Sequence, residues 1–138
     1  MSTLREAPYS LALGELIQVT VEATNDKGTS DPSSVNIVGA VVQYVPQVAP
    51  VPSRGSLTDA ENIELTWTEL ASGIDRGYAA VTGYRIYWDD SGDYQLRISL
   101  NSASITSYFE ASVTQGTPYN FKISAVNVYG EGVLSDPI

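Results

Sequence analysis

Apolar and polar residues alternate in short runs along this chain, and the three-to-four-residue spacing of an amphipathic helix is almost absent. "NIELTWT" (62–68) places Ile63, Leu65 and Trp67 on one face and polar residues on the other. "VTGYRIYWDD" does the same with Tyr84, Ile86 and Trp88, and "YNFKISAVNV" with Tyr119, Phe121, Ile123 and Ala125. "YQLRISL" and "ITSYFEASV" read as further strands, and "SRGSLT" as a weak first one. Clusters of Gly, Asn, Asp, Ser and Pro separate runs rich in Val, Ile, Thr and Tyr, which predicts an all-β sandwich of two antiparallel sheets. Each large apolar side chain is worth about 1.5–3 kcal/mol when buried. The expected core is therefore Trp67, Tyr84, Ile86, Trp88, Tyr119, Phe121 and Ile123.

The same pattern occurs twice. Moving residues 10–28 along by 102 positions lays Ser10 on Ser112, Gly14 on Gly116, Ala23 on Ala125, Asn25 on Asn127 and Gly28 on Gly130. Apolar positions match as well: Leu11 with Val113, Ile17 with Tyr119, Val19 with Phe121, Val21 with Ile123. A period near the length of a whole small sandwich implies two such units, not a solenoid. "VPQVAPVPS" (45–53) then reads as a stiff, Pro-rich linker, centred on residues 46–51.

Charge and composition narrow the chemistry. The formal net charge of −9 and the scatter of the seven basic residues argue against a nucleic-acid partner and against an anionic membrane surface. No apolar run is long enough for membrane insertion, and the N-terminus has no signal-peptide pattern. Cys and His are both absent, which removes thiolate nucleophiles, disulfides, histidine bases and nearly all zinc sites.

The remaining acidic groups suggest little chemistry. "DDSGD" brings Asp89, Asp90 and Asp93 into one turn, but calcium needs six to eight oxygens and this spacing matches no calcium loop. A solvated hairpin turn is expected there. Asp59 and Glu61 have no second group to share acid–base work with, so no catalytic residue, cofactor or metal ligand is expected.

These residues resemble the fibronectin type III family. The likeness rests on Pro52 before the first strand, on Leu65 and Trp67, on "VTGYRIYW", and on "VTQGTPYNFKISAVNVYGEG". It runs through residues 50–138 and, as a partial copy, through residues 4–45. The resemblance implies an immunoglobulin-like sandwich in which Trp67 is the core tryptophan of the second strand. Tyr119 would bond back to backbone near the Gly116 turn; Ile17 stands in its place in the first copy, so packing alone is expected to hold that corner. The integrin-binding Arg-Gly-Asp is missing from the loop where the family carries it.

By the same resemblance, residues 1–45 are the last three strands of one module and residues 52–138 a module with a shortened last strand. Ser-Asp-Pro occurs in both copies, followed by a strand-like stretch in the first and by one residue in the second. Either the 138 residues are a window on a longer tandem array, which is the preferred reading, or Ile138 is a true end and the sixth strand keeps an open edge, which residues 35–45 of this chain or of a neighbour could fill by strand exchange. The resemblance also sets the 69–80 and 128–134 loops side by side, making Ile74, Asp75, Arg76, Tyr78, Tyr129 and Glu131 candidate partner-binding residues. The alternative reading is that Ile74 and Tyr78 only close the top of the sandwich. Tyr87 and Tyr94 project outward and offer an aromatic platform.

The expected function is a non-catalytic spacer and adhesion-type module of a multi-domain extracellular or cell-surface protein, with other proteins or neighbouring copies as partners. Its alternatives are a filament subunit built by strand exchange and an accessory domain of a secreted polymer-degrading enzyme.

Overall fold

The computed structural model describes residues 4–90 and 92–138. Ser91 and the Asp90 side chain, both part of the expected acidic turn, lie outside the described residues. The chain divides into two units, residues 1–43 and 44–138.

In the first unit, Thr24–Asn25 (β1) pairs with Gly28–Thr29 (β2) at the tip of a hairpin. The ladder continues below the tip as single bonds. Ser30 N donates to Ala23 O, Ser33 N to Val21 O, and Ile17 N to Ala40 O. Leu16 and Val41 form an isolated antiparallel bridge. Residues 4–9 form turns, so the first of the three expected strands does not appear among the described residues. Val19 and Val21 are 56% and 69% exposed.

The second unit is a β-sandwich. One sheet runs Ser53–Arg54 (β3), Asn62–Thr66 (β4), Ser107–Ala111 (β7). The other runs Asp93–Leu100 (β6), Val81–Asp90 (β5), Phe121–Asn127 (β8), Gly130–Glu131 (β9). All pairings are antiparallel. Registers Tyr84↔Ala125, Ile86↔Ile123 and Trp88↔Phe121 set the inward rows of β5 and β8 side by side. Leu65, Trp67, Tyr84, Ile86, Phe121, Ile123 and Ala125 form the buried cluster, with Trp88 and Tyr119 half-buried against it. Trp67 and Tyr84 meet edge to face, their ring centroids 5.3 Å apart.

Two segments depart from the sequence reading. Residues 46–51, expected to be a linker, lie inside the second unit, where Pro46 and Pro50 are fully buried. Tyr44 N donates to Gly77 O, and Gln47 N to Asp75 O. Glycines make this approach feasible. A Cβ on Gly77, whose φ is +69°, would lie 2.3 Å from Tyr44 O, and one on Gly132 would lie 2.4 Å from Pro46 O.

The sixth-strand edge, expected to be open, is occupied along β8. Gly132 N donates to Ala125 O and Ser135 N to Ile123 O, while Phe121 and Ile138 exchange both backbone bonds. The Ser-Asp-Pro landmark was misleading, because Ser135 takes the place of Ser33 rather than Ser30. Val21 N donates to Ser33 Oγ at 3.0 Å, and Ile123 N to Ser135 Oγ at 3.0 Å.

Candidate functional site

The candidate loop residues divide between two places. Ile74, Asp75, Arg76 and Tyr78 lie on the turn before β5, where Asp75 N donates to Ser72 Oγ and Gly77 N to Ile74 O. Tyr78 adopts a positive φ of 57°, and Ile74 and Tyr78 are both exposed. Tyr129 sits on the β8–β9 turn, where its N–H donates to Asn127 Oδ1 at 2.8 Å. Asn127 joins the two loops: its buried Nδ2 donates to Arg76 O at 3.0 Å and to Tyr44 O at 2.7 Å. No feature of the sequence singled out Asn127 as the tie, since its role in the repeat is a turn residue.

Glu131 belongs elsewhere, on the outer face of the four-stranded sheet. Its Oε1 accepts from Tyr87 Oη at 2.7 Å and from Ser124 Oγ at 2.5 Å, and its Oε2 from Arg85 Nη1 at 2.5 Å. Burial pushes the Glu131 carboxyl up, but bonds from Ser124, Tyr87 and Arg85 outweigh it and hold the group below the usual carboxylate range. Tyr87 is thereby tied to Glu131, and Tyr94 lies under Lys122, whose Nζ is 4.5 Å from the ring centroid. The expected aromatic platform is thus a mixed surface in which each tyrosine already has a polar or charged neighbour.

A second carboxylate holds the two sheets together at one edge. Arg97 on β6 donates through Nε and Nη2 to Glu110 on β7, at 2.6 and 2.8 Å, and Tyr108 Oη adds a bond of 2.6 Å. The Arg97 bonds lower the Glu110 carboxyl against the opposing effect of burial, and Tyr108 adds to the lowering. Burial, with the neighbouring Glu110, pushes the Tyr108 hydroxyl up to about 12. The Arg97 guanidinium also covers Trp88 at 5.0 Å, and Trp88 stacks on Tyr119 at 6.0 Å. Bidentate geometry and low exposure of Glu110 make this pair stronger than an ordinary surface bridge.

At the Gly116 corner, Thr114 N donates to Tyr119 Oη at 3.0 Å. The equivalent corner of the first unit does not rely on packing alone, contrary to the expectation from Ile17. Ala12 N donates to Glu15 Oε2 at 2.6 Å, so a carboxylate replaces the phenol as the acceptor. Among the described residues no cluster of acidic side chains has the arrangement of a metal site, and no helix is long and apolar enough to cross a membrane.

Two sheets packed over an aromatic core, a tyrosine-held corner and loops gathered at one pole define an immunoglobulin-like sandwich scaffold. The chain belongs to the fibronectin type III family, whose domain profile matches residues 49–138. It is 30% identical over 129 residues to a Caenorhabditis elegans protein named tyrosine-protein phosphatase Lar-like, covering 86% of this chain and 6% of that one. It is 29% identical over 122 residues to the Gallus gallus cell adhesion molecule DSCAM, covering 87% of this chain and again 6% of the relative. This chain therefore spans a small fraction of the relatives it matches. Among solved structures, the chicken CNTN1 FN1–FN3 domains superpose with a TM-score of 0.56 at 24% identity, over 94% of this chain and 43% of that one.

Proposed function

We propose that this chain is a non-catalytic spacer and adhesion-type module of a multi-domain extracellular or cell-surface protein, built from two fibronectin type III-like units. One observation supports this reading above the others: the same hairpin ladder recurs 102 residues along the chain. Repetition of a scaffold with varied loops suits display and spacing better than chemistry. The naming of one relative as a cell adhesion molecule points the same way. The partner-binding surface in this reading is the pole that carries Ile74, Asp75, Arg76, Tyr78 and Tyr129, with other proteins or neighbouring copies as its partners. Glu131 contributes by fixing the β8–β9 turn on the sheet face.

The test is an adhesion assay with beads coated in the 138-residue protein, scored against one another and against cultured cells with and without protease treatment. Wild-type beads should adhere, and Ile74→Glu with Tyr129→Glu should reduce adhesion to the level of albumin-coated beads at an unchanged melting temperature. Equal adhesion by wild type and the double variant would remove the loops from the reading.

A further inference from the structure

The second unit contains a cavity of 290 Å³ that neither the loops nor the carboxylate clusters explain. It opens between the two sheets beside the Gly116 corner. Ile63, Leu65, Val113, Phe121 and the ring of Tyr119 line it, and Arg54 stands among its polar lining residues. Its size lies at the small end of ligand cavities, which run from about 300 to 1,000 Å³.

Charge selects the occupant. The second unit has five basic residues, and four of them are engaged: Arg85 with Glu131, Arg97 with Glu110, Lys122 with the Tyr94 ring and Arg76 with Ser72 O. Arg54 alone has no carboxylate, carbonyl or ring partner among the described residues. Asp59 shares the rim, but its Oδ1 already accepts three bonds, from Glu61 N, Asn62 N and Asn62 Nδ2. A protein of net charge −9 thus keeps a guanidinium without a direct ion-pair partner among the described residues beside an apolar recess.

We propose that this recess binds a small aliphatic monocarboxylate, with the apolar chain against the half-buried Ile63, Val113 and Tyr119 and the carboxylate on Arg54. Guanidinium matches carboxylate in a planar, two-bond geometry, and such charge-assisted pairs are stronger than neutral hydrogen bonds. The ligand is a free acid in solution, not the headgroup region of a membrane.

Octanoate is the probe, with octanol as the neutral control, followed by methyl and amide NMR shifts. Saturable shifts are expected at Ile63 and Val113. Arg54→Gln should weaken octanoate about tenfold or more and leave octanol within about twofold. Thr117→Trp, which fills the exposed mouth, should abolish both, with a thermal melt confirming that the variant is folded; if it is not, the Arg54→Gln comparison decides alone. Equal octanoate affinity in wild type and Arg54→Gln overturns the assignment. So do shifts confined to another surface, the absence of saturation, or co-sedimentation with phosphatidylglycerol vesicles without binding of free octanoate.

Discussion

Residues 19–36 and 121–138 fold into the same ladder. The backbone bonds at 23/30 and 21/33 recur at 125/132 and 123/135, and the turn bond from Lys27 N to Asn25 Oδ1 recurs from Tyr129 N to Asn127 Oδ1. Positive φ angles recur as well, at Ser10 and Ser112, Gly14 and Gly116, and Gly28 and Gly130. Yet Val19 and Val21 are largely exposed, whereas their counterparts Phe121 and Ile123 are 1% and 0% exposed. Local chemistry therefore specifies the hairpin: an Asn that bonds its own turn, a Gly with positive φ, and a Ser that supplies an acceptor. Packing against β4, β5 and β7 supplies what the first copy lacks, the burial of a side-chain row.

The largest expected difference lies in that row. Phe121→Ala should destabilise the second unit by about 3–5 kcal/mol, since it removes a large buried ring and leaves a cavity. Val19→Ala, at the matching position, should change stability by less than about 0.5 kcal/mol. Urea denaturation of the two variants checks both values, and similar losses would mean that the first hairpin is covered in solution.

The serine acceptors separate the copies next. Ser135→Ala would strand the Ile123 N–H inside the sandwich, at a cost of about 1–3 kcal/mol. Ser33→Ala frees an N–H at an exposed site, where water replaces the lost acceptor. Denaturation midpoints should move for the first substitution and stay within error for the second.

The repeat, the inward rows of β5 and β8 and the tyrosine corner could all be read from residue order, because each depends on local spacing. What could not be read depends on segments distant in the chain. Pro-rich composition makes residues 46–51 look like a spacer, but Gly77 and Gly132 open room for the chain there, and Asn127 Nδ2 donates to Tyr44 O just before that segment. The three letters Ser-Asp-Pro suggested one alignment of the last strands, while the serine hydrogen bonds select another, three residues away. Glu131 looked like a loop residue free to meet a partner. Its partners Arg85 and Tyr87 lie 46 and 44 residues earlier, and only the sheet brings them together.

The two corners differ by a smaller amount. Tyr119→Phe deletes the acceptor for Thr114 N and should cost about 1 kcal/mol. Glu15→Ala deletes the acceptor for Ala12 N, but solvent reaches that site, so the loss should be a few tenths of a kcal/mol. Amide exchange at Thr114 and Ala12 distinguishes them: each should quicken only in its own variant.

The smallest expected difference depends on pH and resides at the hairpin tips. Glu131 occupies the position that Thr29 holds in the first copy, where Thr29 Oγ1 shares a hydrogen bond with Thr24 Oγ1 at 2.9 Å. Burial pushes the Glu131 carboxyl up, yet the bonds from Ser124, Tyr87 and Arg85 prevail and leave it below its ordinary value. A carboxyl depressed by folding stabilises the native state above its unfolded pKa, about 4.3, and loses that contribution as pH falls through the lower folded value. Glu131→Gln should therefore melt below wild type at pH 6–7, and the gap should narrow as the pH is taken below about 4. Exchange of the β8–β9 turn amides should follow the same course while the Asn25–Gly28 turn stays unchanged. A gap that is constant with pH would show that Glu131 acts through packing rather than charge, and the tips would then differ in shape alone.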